Sequence, residues 1–210
     1  MPHLLHLDSS ADLTSSRSRA LTAEFARAWA ARGEGFTTTY RDLHRDPLPH
    51  LADSELHWTP ADRRPGAQVP ADAEALQRTI VEELLAADVL LVGAPLYNYT
   101  VPSTLKVWLD NVHVPGLLTG AGTQPLAGRR AVVVSSRGAV YDAGTPTETW
   151  DHGVPVLRII LGEAFGMDVE VVQTSITLAH RVPDLAAHAE RSDEEFAAAR
   201  ERLAELGATL

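Results

Sequence analysis

Three short stretches of this chain carry residue types that packing alone does not call for. The first, Asp8-Ser9-Ser10-Ala11-Asp12-Leu13-Thr14-Ser15-Ser16-Arg17-Ser18, crowds hydroxyls and a cation just ahead of a helical pattern. Hydroxyl donors, unpaired first-turn amides and the positive end of a helix dipole together suit a phosphate dianion. An N-cap beside a solvated loop is the plainer alternative. The second stretch is Pro95-Leu96-Tyr97-Asn98-Tyr99-Thr100-Val101-Pro102. It offers two aromatic rings, an amide and a hydroxyl between prolines, which suits a flat ligand with polar edges. The third is Ser135-Ser136-Arg137-Gly138-Ala139-Val140-Tyr141, a turn that would aim backbone N–H groups and a cation at the same place.

Each stretch follows an apolar run of strand length. The pattern predicts strands over 4–7, 36–43, 87–92, 130–135 and 169–175. Helices are predicted over 18–32, 71–87, 105–112, 150–165 and from Ser192 onward, each with apolar residues at helical spacing. Strands alternating with helices imply a parallel sheet covered on both faces, with right-handed crossovers. Ligands in such sheets bind at the carboxyl ends of the strands, where strand order reverses. The three stretches stand at such ends, and an isoalloxazine ring is the best candidate ligand. No linker or repeat interrupts the pattern, so one folded unit over 1–210 is expected. The segments 44–70 and 113–128 are long irregular loops, a length usually tied to function or disorder.

Composition narrows the choice further. The 210 residues carry a net charge of −10 and no cysteine. Nucleic acid and anionic membrane surfaces are therefore unsuitable partners, and thiolate chemistry, disulfides and Cys-based metal or iron–sulfur sites are excluded. The nine histidines show no ligand spacing, so no metal is expected. No apolar run reaches membrane length and no signal-type segment is present, which predicts a cytoplasmic protein. A G-x-G-x-x-G after the first strand and a P-loop are both missing, which disfavours a Rossmann dinucleotide site and a P-loop NTPase.

The blocks Ser10, Ser16-Arg17-Ser18, Pro95-Leu96-Tyr97-Asn98-Tyr99, Ser103-Thr104-Leu105-Lys106 and Ser136-Arg137-Gly138-Ala139 resemble, in order and spacing, the motifs of the FMN-dependent NADH:quinone oxidoreductases. These enzymes, also called FMN-dependent azoreductases, belong to the flavodoxin-like superfamily. The resemblance implies a three-layer α/β sandwich with strand order 2-1-3-4-5 and FMN bound without covalent attachment. It implies NADH or NADPH as donor and ping-pong two-electron reduction of quinones, with azo compounds cleaved by the same route. It also implies a homodimer with the active site at the interface; Trp58 of the 44–70 loop is then a candidate cap on the partner's site, with a simple surface anchor as the alternative.

Residue by residue, the resemblance assigns the phosphate to Ser10 and Ser16–Ser18. Pro95 to Tyr99 would line the ring near N5 and O4, and Ser136 to Ala139 its pyrimidine edge. Donors at that edge favour the charge that reduction places on N1 and O2. Tyr141 stands where many relatives have histidine and is a candidate proton donor to the acceptor. The 114–120 segment is shorter and more aliphatic than the family's Phe-x-Tyr element. The rivals are a flavin or nitro-compound reductase on the same fold, and a non-enzymatic FMN electron carrier or redox module.

Overall fold

The computed structural model describes residues 1–120 and 122–210. Five parallel strands, β1 (His3–Asp8), β2 (Thr37–Asp42), β3 (Val89–Pro95), β4 (Arg130–Ser136) and β5 (Asp168–Thr174), form one sheet in the order β2-β1-β3-β4-β5. The strand order implied by the resemblance is the one observed. The helices are α1 (Arg17–Ala30), α2 (Ala71–Ala86), α3 (Ser103–Val112), α4 (Gly153–Leu157) and α5 (Ala189–Thr209).

Strand parity sorts the core into two layers, because successive side chains leave a strand on opposite faces. Leu5, Leu7, Leu90, Val92, Ala131 and Val133 face α2 and α3, where they meet Ile80, Leu84, Leu105 and Trp108. Leu4, Val89, Leu91, Val132 and Val134 face α1 and α5, where they meet Phe25, Trp29 and Leu203. Trp108 is fully buried and belongs to the first of these layers.

Two predicted helices differ from the sequence reading. The 150–165 stretch forms α4 and then widens into a π-helical turn over Arg158–Ala164, with Phe165 N–H donating to Ile160 O at 3.1 Å. The last helix begins at Ala189, so Ser192 lies inside α5 and does not cap it. Its hydroxyl is spent elsewhere, on the carbonyls of Ser175 and Ile176 at 3.2 and 2.8 Å. The 44–70 loop is anchored midway by a 3-10 turn, Ser54–His57, whose Leu56 is buried. Gln77 of α2 donates to the Leu56 carbonyl there at 2.8 Å.

Candidate active site

Strand order reverses between β1 and β3, so the chain leaves their carboxyl ends in opposite directions and opens a crevice. The crevice holds a cleft of about 630 Å³ lined by the hydroxyl loop after β1, the loop after β3, the turn after β4 and the segment after β5. Of the residues singled out in the sequence, Ser10, Ser16, Arg17, Pro95, Leu96, Tyr97, Asn98, Ser136 and Gly138 line it.

The hydroxyl loop already accommodates an oxyanion. The Asp12 carboxylate accepts the amides of Thr14 and Ser15 at 2.9 and 2.8 Å and both of their hydroxyls. The Ser15 hydroxyl, with the Ser15 and Thr14 amides, holds the Asp12 carboxyl well below the usual carboxylate range. Ser16 caps α1 by accepting the Arg19 amide at 3.3 Å. Ser18 is fully buried behind it, its hydroxyl on that of Ser16 at 3.1 Å. The first-turn amides of Arg17 and Ser18 have no acceptor among the described residues, which leaves them for an incoming phosphate.

Arg17 lines the cleft, but its guanidinium is directed to α5. It donates to Ser192 O at 2.6 Å, pairs with Asp193 at 3.0 Å and lies over the Phe196 ring.

The loop after β3 is a two-residue hairpin. Tyr97 and Thr100 exchange backbone hydrogen bonds at 2.9 and 3.1 Å, with Asn98 and Tyr99 at the tip, both at positive φ (46° and 72°). Such a turn favours Asn at its first tip position and disfavours a ring at its second, at a cost of about 1–2 kcal/mol. Outside contacts hold it: His152 N–H donates to Tyr99 O at 2.8 Å, and the Tyr99 ring meets Trp150 edge-on at 5.3 Å. Tyr99 therefore stands outside the cleft lining, beside Trp150. Tyr97 is a strut, its phenol oxygen accepting the Ala11 amide at 2.9 Å and meeting Ser10 Oγ at 3.2 Å.

After β4, Arg137 turns aside. Its guanidinium donates to Ser175 Oγ at 2.7 and 3.1 Å, approaches Asp151 at 3.6 Å and lies over the Tyr141 ring. Its amide is spent on Thr174 O at 2.9 Å, so it does not bring its charge or its amide into the cleft. Ala139 accepts from Ile176 N–H at 3.3 Å and also stands outside the lining. Burial raises the Tyr141 phenol, as do nearby Tyr99 and Asp151, while Arg137 opposes them.

The segment after β5 was not among the sequence candidates. Thr177, Leu178, His180 and Arg181 form the fourth side of the cleft. Leu178 packs so closely on Gly138 that a Cβ there would meet its Cδ1 at 2.9 Å. The segment reaches this position because Ile176, buried and β-branched, adopts φ +56° and reverses the chain. Nothing in its composition signals that turn; only the general rule that ligands gather at strand ends points to it.

A family model described as a flavodoxin-like fold matches residues 2–206. An FMN-dependent NADH:quinone oxidoreductase of Kineococcus radiotolerans is 70% identical over 210 residues, covering 100% of both chains. One of Streptomyces coelicolor is 42% identical over 87% of this chain and 83% of its own. The chain belongs to the FMN-dependent NADH:quinone oxidoreductase family. Among solved structures, an azoreductase from Bacillus anthracis superposes with a TM-score of 0.81 at 19% identity, covering all of both chains. An FMN-dependent NADH-azoreductase from the same species, in complex with FMN, gives 0.77 at 19% identity over 98% of this chain and 99% of that one. At these identities the likeness is one of fold. In this family member, the cleft suits a ligand with one anionic end and one flat end: hydroxyls and first-turn amides stand at one side, hairpin backbone and Leu178 at the other.

Proposed function

We propose that this chain is an FMN-dependent NADH:quinone oxidoreductase that also cleaves azo compounds, with the cleft between β1 and β3 as its active site. The observation that carries the reading is the junction of the hydroxyl loop and the Tyr97–Thr100 hairpin through the Tyr97 phenol. That contact joins a phosphate-type donor set to a flat backbone wall. When bound there, FMN would accept hydride from NADH and pass the electrons to a quinone or azo acceptor.

The remaining chemistry belongs to the protein. Ser10, Ser16 and the amides opening α1 receive the phosphate. Leu96 to Asn98 present backbone along one edge of the ring, and Ser136 and Gly138 stand at the other. Leu178 packs on Gly138 and gives that side an apolar wall. Tyr141 stands outside the residues that line the cleft, beneath the Arg137 guanidinium, and we take it as the candidate proton donor to the reduced acceptor, alongside water.

We take the chain as one folded unit that works in the cytoplasm, where NADH and FMN are supplied. We also take it to act as a homodimer. The exposed Trp58 and Leu117 flank an apolar hollow of about 340 Å³ beside α2, which supports a second copy packing there.

Purified protein should be yellow, release FMN on denaturation, lose its flavin colour with NADH in the absence of oxygen, and regain it with a quinone. Protein that is colourless and binds no added FMN would overturn the reading. Rapid electron exchange with a protein carrier but slow reduction by NADH would favour the carrier instead.

A further inference from the structure

The cleft's charges are unevenly committed. Arg17, the cation nearest the hydroxyl loop in sequence, is neutralised by Asp193 at 3.0 Å. His180 shares that carboxylate, its Nε2 at 3.0 Å from both oxygens. Asp12 adds a negative charge and occupies the amides of Thr14 and Ser15. Of the cations lining the cleft, Arg181 is the one without a carboxylate partner among the described residues. Its side chain is exposed, and its backbone is fixed by its amide's bond to Leu178 O at 2.9 Å.

A phosphate carrying nearly two negative charges, set beside Asp12 and a neutralised Arg17, lacks compensation from the hydroxyl loop alone. We propose that Arg181, from the turn after β5, is the cation that meets the FMN phosphate, and that Arg17 is a positioning residue fastening α1 to α5. The assignment rests on the cofactor reading above. It makes Arg181 a determinant of selectivity for FMN over riboflavin, since only the phosphate end would sense it.

The test is equilibrium titration of apoprotein with FMN and with riboflavin, followed by flavin fluorescence, at two ionic strengths. Arg181→Met should weaken FMN roughly tenfold or more, the scale of a lost charge-assisted bond, and leave riboflavin unchanged. Arg181→Lys should recover most of the loss. Added salt should weaken FMN in the parent protein and have little effect in Arg181→Met. Arg17→Met should lower the melting temperature and keep the FMN-to-riboflavin ratio.

Unchanged selectivity in Arg181→Met, with FMN still bound, would overturn the assignment and leave the cofactor reading intact. A larger selectivity loss in Arg17→Met than in Arg181→Met would likewise overturn it. Apoprotein that binds neither flavin would end the cofactor reading itself.

Discussion

The guanidinium of Arg19 donates two hydrogen bonds to the carbonyl oxygen of Ser10, at 2.7 and 3.1 Å. The same group forks onto Asp42 with two bonds of 2.7 Å, and Asp8 lies 3.8 Å away. One half-buried cation thus fixes the exit of β1 to the end of β2, and the first turn of the hydroxyl loop hangs from it. Arg19→Met would strip Asp42 of its forked cation and leave it the amides of His44 and Arg45, with the Arg45 guanidinium 3.5 Å away. The expected cost is about 2–3 kcal/mol of stability, below the ~3–5 kcal/mol of a buried charge left wholly unpaired. Calorimetry of parent and variant checks this; a loss below about 1 kcal/mol would mean that the pair is not structural.

The same pair sets an acid limit. Burial pushes the Asp42 carboxyl up, but the Arg19 hydrogen bonds and the amides of Arg45 and His44 outweigh it and hold the group at about 2. A depressed carboxylate contributes its full stability above its ordinary value, and that contribution disappears as pH falls from about 4 to 2. Asp42→Asn should therefore be less stable than the parent at pH 6 and show a flatter stability profile between pH 4 and 2. Parallel profiles would show that other groups govern acid unfolding.

Tyr97 is a strut between two loops, so Tyr97→Phe isolates one contact. The expected result is FMN binding weakened about fivefold and about 1 kcal/mol less stability, the worth of an ordinary hydrogen bond. Flavin titration and thermal melts read the two effects separately.

Tyr141→Phe should leave the rate of reduction by NADH unchanged and slow acceptor reduction roughly tenfold. That is short of the ~10²-fold of a full general acid, because water can substitute in part. Stopped-flow measurement of both half-reactions across pH decides the matter, and equal oxidative rates at every pH would remove Tyr141 from the chemistry.

Helices α1 and α5 touch backbone to backbone. A Cβ at Gly207 would collide with the carbonyl oxygen of Phe25 and press on the Ala28 side chain. Gly207→Ala should gain helix propensity and still destabilise the protein by about 1–3 kcal/mol, because a main-chain oxygen cannot move aside as a side chain can. Denaturant unfolding gives the sign.

Much of the fold was legible because strand parity and helical spacing are local. The alternation Leu4, Leu5, Leu7 already divides between the two layers, and Trp108 at helical spacing lands in the core. The hydroxyl loop and the 95–98 stretch were legible through residue type. Arg17 and Arg137 were not, because a cation beside a site can serve a neighbouring helix or carboxylate, and only the fold decides which. The 177–181 segment escaped for a different reason. Its approach depends on a left-handed Ile176, held by the Ser192 hydroxyl from within α5, and a β-branched residue gives no local sign of that conformation. The misplaced start of α5 shares this origin, since Ser192 resembles a cap and serves a turn elsewhere.

The attachment of that turn to α5 bears on when the site comes into being. Ser192, Glu195 and Asp193, all on α5, hold the carbonyls of Ser175 and Ile176, the Ser175 amide and the His180 ring. A ribosome makes the hydroxyl loop, the hairpin and all five strands before it makes α5. The nascent chain can thus assemble its sheet while the fourth side of the cleft is still unfastened. The last helix made is therefore the one that both closes the second core layer and fastens the fourth side of the cleft.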